Sequence, residues 1–296
     1  MKASDDLFFL IKSLNKSEKG YFKKASSMHI MGKKNRYMVL FDAIDKQEQY
    51  DEAEIKAKYR NEPFVKQLHP FKNYLYNSIL WTLELYHQRT TLSLIQRNIR
   101  QIEILRGKGL FDQSLKIIAK SKKTAYDRGF YLEAIAILKL EIIIVASSTI
   151  ISDRESRVEN INNELHSLNS MHMNRQEYSY LITKINMLGI KEGDFNSPEL
   201  RKKVNQIFSN PLLKDEKRAL TTSSKLFFNI CHFMLYKYSF DDKRALRYGN
   251  RCLGLLEQYS VLALELPAVY TSLLSDLAQI YLRNSLYAET FVAIEK

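Results

Sequence analysis

The chain has 296 residues, 45% of them hydrophobic, with nine Gly and five Pro and a formal net charge of +12. That much apolar material builds a substantial core, while so few Gly and Pro leave little for β-hairpins or glycine-rich phosphate loops. Two cysteines, Cys231 and Cys252, exclude a disulfide framework and any zinc spacing.

Asp5 and Asp6 precede an apolar run, Leu7 to Ile11, that is shorter than the roughly 7 to 15 residues of an export signal, so a cytoplasmic location is expected. Residues 1–68 read as a small helical module. Its first helix starts near Ser4, and Asn15-Lys-Ser-Glu18 forms a capping box. A third helix over 34–46 places Tyr37, Leu40, Phe41 and Ile44 on one face, and a fourth begins near Asp51. Glu62-Pro63 and His69-Pro70 punctuate the chain, because the residue before proline is pushed out of the helical region.

Residues 69–296 read as a helical repeat array. Its opening helix, over 71–88, carries Tyr74, Tyr76, Trp81 and Tyr86 among leucines and is expected to be buried on two sides, as the joint to the module. Five helical pairs follow, over 92–106 and 112–128, 131–147 and 153–168, 176–188 and 198–208, 216–237 and 242–259, and 266–283 and 286–296. Residues 132–151 are apolar enough to suggest a membrane span, but Glu133, Lys139 and Glu141 interrupt them at a cost of about 3 kcal/mol each. Phe111, Phe195, Phe240 and Tyr287 occupy the turns at intervals of 84, 45 and 47 residues, the first leaving room for one more turn near Ile151. A unit recurring every 40 to 47 residues is the signature of an all-α solenoid of antiparallel helix pairs, each covered only by its neighbours.

In the last pair, Leu274, Leu277-Ala278, Tyr281 and Tyr287 resemble a tetratricopeptide repeat, in which such residues line the first helix and an aromatic plugs the gap after the turn. Gly109-Leu110-Phe111 with Ser114, and Phe227, Ile230-Cys231 and Phe240, are similar to the same motif, although Gln101, Ile102 and Thr290 depart from it. The opening Ser13-Leu14-Asn15-Lys16-Ser17-Glu18-Lys19 with Tyr21-Phe22, and Phe41-Asp42-Ala43-Ile44-Asp45-Lys46, resemble the start of a group of uncharacterised bacterial tetratricopeptide-like proteins, which supplies no activity to transfer. The resemblance implies a right-handed solenoid whose first helices line a concave, peptide-binding groove. On this chain the implied lining is Gln96, Arg100, Glu103 and Arg106, then Lys225, Asn229, His232 and Tyr236. A clamp for a terminal carboxylate is not expected, since Thr183, Met187, Ser272 and Asp276 stand where its other polar groups belong.

The expected activity is therefore a non-enzymatic scaffold for another protein or peptide. Residues 61–130 and 201–260 each carry a net charge of +7 around an acidic stretch of −4 at 131–200, which favours an acidic partner. Two basic stripes, Lys116, Lys120 and Lys123, and Arg244, Arg247 and Arg251, support nucleic acid as the alternative partner, against the plainer reading of a solvated face without aromatic residues for base stacking. No nucleotide-binding, zinc or nucleophile motif is present, so no cofactor or metal is expected. Cys231 falls with Phe227, Ile230 and Met234 on an inner face, as an apolar filler. The final helix shows Leu286, Tyr287, Phe291, Val292 and Ile294, predicted to be incompletely covered unless the chain continues or this end meets another subunit.

Overall fold

The structure is a computed structural model and describes residues 5–28, 36–87, 90–148, 152–191 and 198–296. Among these residues there is no strand, and the chain is all-helical. It divides into two compact units, residues 1–94 and 95–296.

In the first unit, α1 (Asp6–Ser13), α2 (Lys16–Met28), α3 (Arg36–Lys46), α4 (Glu52–Lys58) and α5 (Leu68–His87) surround one core. Ile11, Phe22, Leu40, Phe41, Ile44, Phe64, Leu75 and Ile79 lie at its centre. The capping box forms as the sequence suggests: the Asn15 side-chain oxygen accepts from the amides of Ser17 and Glu18, and the Asn15 amide donates to Glu18 at 2.9 Å. The helix expected to join module and array is α5, and it packs on α1, α2 and α3 inside this unit. The expected burial of α5 on two sides is corrected: Leu75 and Ile79 are buried, while Tyr74, Leu80 and Trp81 remain exposed. Pro63 opens a 3-10 turn, and Pro70 sits in the first turn of α5, where a missing N–H costs nothing.

The second unit contains most of α6 (Thr91–Gly107), then α7 (Phe111–Asp127), α8 (Tyr131–Ser147), α9 (Arg154–Lys191), α10 (Pro198–Phe208), α11 (Thr222–Tyr238), α12 (Asp242–Gln258), α13 (Ser260–Glu265), α14 (Pro267–Arg283) and α15 (Tyr287–Glu295). The main contacts follow chain order: α7 packs on α8, α8 on α9, α9 on α11, α11 on α12, α12 on α14 and α14 on α15. Four helices end in one device. After α6, α7, α11 and α14 the chain enters the left-handed region at Gly109, Gly129, Phe240 and Ser285, with φ of 74°, 68°, 55° and 59°. Each time the following amide returns to a carbonyl five residues back, as in Leu110 to Leu105 at 3.0 Å and Phe130 to Ala125 at 2.9 Å. Phe111 and Tyr287 therefore open the next helix, whereas Phe240 is itself the reversing residue. Phe195 lies outside the described residues.

The five-pair reading is corrected at its centre. Residues 153–168 and 176–188, expected in separate helices, belong to the single 38-residue helix α9. No Gly or Pro lies between Ser152 and Leu188 to stop it. Its inward residues, Ile161, Leu165, Leu168, Met171, Asn174, Tyr178, Leu181 and Ile185, take seven steps over 24 residues. That spacing is tighter than the helical repeat, so the stripe drifts by about 120° along the helix. The early part joins a core with Ile102, Ile118, Ile137 and Val145, and the later part joins a second core with Leu226, Phe233, Leu256 and Leu277. In that second core Gly249 of α12 admits close neighbours: a Cβ there would meet Leu277 Cδ2 at 2.7 Å and Phe233 Cε2 at 2.9 Å.

Two predictions follow from these contacts. Left-handed backbone costs an ordinary residue about 1–2 kcal/mol, of which glycine's added chain entropy takes back part. Ser285→Gly is expected to stabilise the second unit by about 0.5–1 kcal/mol and Gly129→Ala to destabilise it by a similar amount, read from denaturant midpoints. In the first unit, Glu52 bonds to Lys56 at 2.7 Å and Lys72 at 3.0 Å and receives the Tyr50 hydroxyl. The Lys56 bond above all, with those from Lys72 and Tyr50, outweighs burial and holds its carboxyl at about 2, below the usual 4.5. A lowered folded value means stability that is present above 4.5 and lost as pH falls towards 2. Glu52→Gln is expected to flatten the acid unfolding of this unit across that window.

Candidate functional site

The second core carries a cradle built on one face of α11. Lys225, Asn229, His232 and Tyr236 recur at helical spacing, the stripe expected to line a groove. Lys225 is exposed and Tyr236 half-buried, but Asn229 and His232 are buried, which corrects their expected exposure to a peptide in solution. They are covered by residues 209–220, a strap between α10 and α11 made of two 3-10 turns, Pro211–Leu213 and Glu216–Arg218. The expected start of the fourth pair at Glu216 is corrected to Thr222, because Asn210-Pro211 and the Asp215 side chain cap local turns instead of a long helix.

Six hydrogen bonds hold the strap to the helices. On α9, the Tyr178 hydroxyl donates to the Leu212 carbonyl at 2.9 Å. Asn174 grips the backbone twice, donating to the Arg218 carbonyl and accepting from the Leu220 amide, both at 3.0 Å. On α11, Asn229 donates to the Glu216 carboxylate at 2.9 Å, and His232 Nε2 donates to the Leu213 carbonyl at 3.0 Å. From α12, Arg251 pairs with the other Glu216 oxygen at 2.7 Å. The Leu213 side chain is buried in the core.

The cradle is aromatic as well as polar. The His232 ring stacks on Tyr248 with centroids 4.6 Å apart, and Phe208, Phe228 and Tyr236 pack around it. Burial pushes the His232 pKa down, more than the Leu213 carbonyl raises it, which favours the neutral imidazole. With Nε2 bound to a carbonyl, which only accepts, the proton sits on Nε2 and leaves Nδ1 as a lone-pair acceptor. Neither His232 Nδ1 nor Asn229 Oδ1 has a partner.

The other expected lining residues lie on α6. Gln96, Arg100 and Glu103 are exposed, Arg100 and Glu103 pair at 3.7 Å, and Arg106 is half-buried with its Nε unpartnered. They belong with the first core and the cradle with the second, so the two sets stand on separate cores. In the basic stripes, Lys116, Lys120 and Lys123 are exposed and make no ion pair among the described residues. Arg244 and Arg251 differ: they lie over the Tyr236 and Tyr248 rings at 5.4 and 5.8 Å, and each pairs with an acid, Asp241 and Glu216. Arg247 is exposed between them.

Cys231 and Cys252 are free and buried, and burial pushes the Cys231 thiol up to about 12 and the Cys252 thiol further, which suits packing and suppresses thiolate chemistry. Lys122 bridges Glu141 at 3.1 Å and Glu164 at 3.2 Å while Tyr126 donates to Glu164 at 2.5 Å, a clamp across α7, α8 and α9. No group of His, Cys, Asp and Glu among the described residues could hold a metal, and no helix there is long and apolar enough to cross a membrane.

Asn174 and Tyr178, which grip the strap from α9, escaped the sequence because Asn174 falls between the two expected helices and Tyr178 in the first turn of the second, so nothing linked them to residues 209–220. The available signal was Asn210-Pro211 followed by Asp215, two turn starters in six residues. No family model, curated protein or solved structure matches this chain.

Proposed function

We propose that the protein is a non-enzymatic, cytoplasmic interaction scaffold, a tetratricopeptide-like right-handed solenoid that holds a peptide or helical segment of another, acidic protein. The observation that carries this reading is the cradle, where side chains of α9, α11 and α12 hold a stretch of polypeptide built of short 3-10 turns by its backbone and by one carboxylate. Packing of α7 on α8, α8 on α9, α11 on α12 and α14 on α15 supports the solenoid part, since each of these pairs is adjacent in the chain. Nucleic acid is the weaker reading, because Arg244 and Arg251 are already engaged by tyrosines and acids.

The exposed cations of the two polar stripes, Arg100 on α6 and Lys225 on α11, are the residues through which an acidic partner would be met first. Partners captured from cells by the wild-type chain are expected to bind the Arg100→Glu and Lys225→Glu variants at least tenfold more weakly in isothermal titration, about 1.4 kcal/mol. Unchanged affinity for every captured partner would overturn the assignment.

Self-association is proposed at α15. Its Thr290 and Ala293 are buried, while Tyr287, Phe291 and Ile294 repeat at helical spacing with 59%, 67% and 68% of their surface exposed, beside exposed Val292. Sedimentation is expected to show concentration-dependent association that Phe291→Glu reduces. A wild-type chain that stays monomeric at high micromolar concentration would remove this part.

A further inference from the structure

The strap binds the way a ligand would, and the chemistry of its contacts specifies what could replace it. Four of its six hydrogen bonds to the helices use its backbone, at the carbonyls of Leu212, Leu213 and Arg218 and the amide of Leu220. Such bonds accept almost any sequence of the right shape. The strap's side chains add Leu213 and the small Ala219, both buried in the core, with Leu212 packed beside them, and Glu216, three positions after Leu213, held between Asn229 and Arg251; of these Leu213 and Glu216 make the most selective contacts.

A second observation concerns fit. Asn229 is fully buried and His232 nearly so, yet Asn229 Oδ1 and His232 Nδ1 find no donor under the strap. Buried acceptors are almost always satisfied, because one left dry loses its hydration without recompense. The cradle thus offers two acceptors that its present occupant leaves unused. The strap also carries hydrogen bonds of its own. Its two short turns are closed by local bonds, with the Leu212 amide donating to the Asn210 side chain and the Lys217 amide to Asp215. Meanwhile α11 keeps its packing on α9 and α12 through Leu226, Phe227, Ile230 and Phe233.

We propose that Asn174, Tyr178, Asn229, His232 and Arg251 form a peptide-recognition site filled by the chain's own residues 210–220, and that a partner segment of the form Leu-x-x-Glu displaces them. This inference rests on the scaffold reading above and names the ligand of that scaffold. The best partner adds a hydrogen-bond donor facing Asn229 Oδ1 and His232 Nδ1, which the strap lacks. Because a short tether holds its end at roughly millimolar effective concentration, the strap competes strongly with any segment arriving in trans. It therefore sets a threshold that excludes weak ligands.

The test uses a fluorescein-labelled synthetic peptide with the sequence of residues 210–220 and the full chain, read by fluorescence anisotropy. The strap-loosened variant Leu213→Ser/Glu216→Gln is expected to bind the peptide at least tenfold more tightly than wild type. Adding Arg251→Ala to that variant, or replacing the glutamate of the peptide by glutamine, is expected to abolish the gain. A variant that melts cooperatively and binds no tighter than wild type overturns the proposal. Should the variant fail to fold, hydrogen exchange of the wild-type chain decides. Strap amides that exchange at least tenfold faster than those of Phe227 to Leu235 support displacement, and equal rates overturn it. Failure here is separable from failure of the scaffold reading. Loss of partner capture in Arg100→Glu with no peptide exchange leaves a scaffold with a fixed strap, whereas peptide exchange without any charge effect leaves the cradle and removes the polar-stripe assignment.

Discussion

The continuity of α9 is the constraint on which the second unit depends. One helix carries Ile161, Leu165 and Leu168 into the first core and Tyr178, Leu181 and Ile185 into the second. It can serve both because its apolar stripe repeats faster than the helix turns, so the face it buries rotates along its length. Helices of ordinary length could cover one core each, and the cradle would lose the wall that Asn174 and Tyr178 provide. The Lys122 clamp ties the same helix back to α7 and α8 through Glu164 and Glu141.

The sequence made the simple elements of this fold legible. The limits of α7, α8, α12 and α14 agree with the periodicity to within a residue or two, because each is one uninterrupted helical stretch, and in α7 and α14 a reversing turn closes it. The capping box at Asn15 is a local pattern with a local cause, and it forms. What failed was whatever depended on distant residues. The drifting stripe of α9 looks like two helices when each half is matched to a fixed face. Asn229 and His232 look solvent-facing because they are polar residues on an otherwise apolar helix. Their burial comes from Leu213 and Glu216, 13 to 19 residues away, in a segment whose path no periodicity describes.

The cradle also explains why polar side chains stand in a core at all. Replacing Asn229 and His232 by leucines would fill the same space, but nothing would then hold the Leu213 carbonyl or the Glu216 carboxylate. Buried polar groups fix one arrangement among many of similar packing. Here they select the position of the strap, while the aromatic rings of Phe208, Phe228, Tyr236 and Tyr248 keep His232 dry and favour its neutral form.

A helix of 38 residues extends on the order of 57 Å at the usual rise per residue. Asn174 lies close to its midpoint, so the strap grips α9 near a natural fulcrum. A tilt of about 5° around that point carries each end through roughly 2.5 Å, enough to re-seat side chains in a close-packed core. Gripping or releasing the middle of such a lever is felt at both tips at once, and here one tip borders α8 and the other α11.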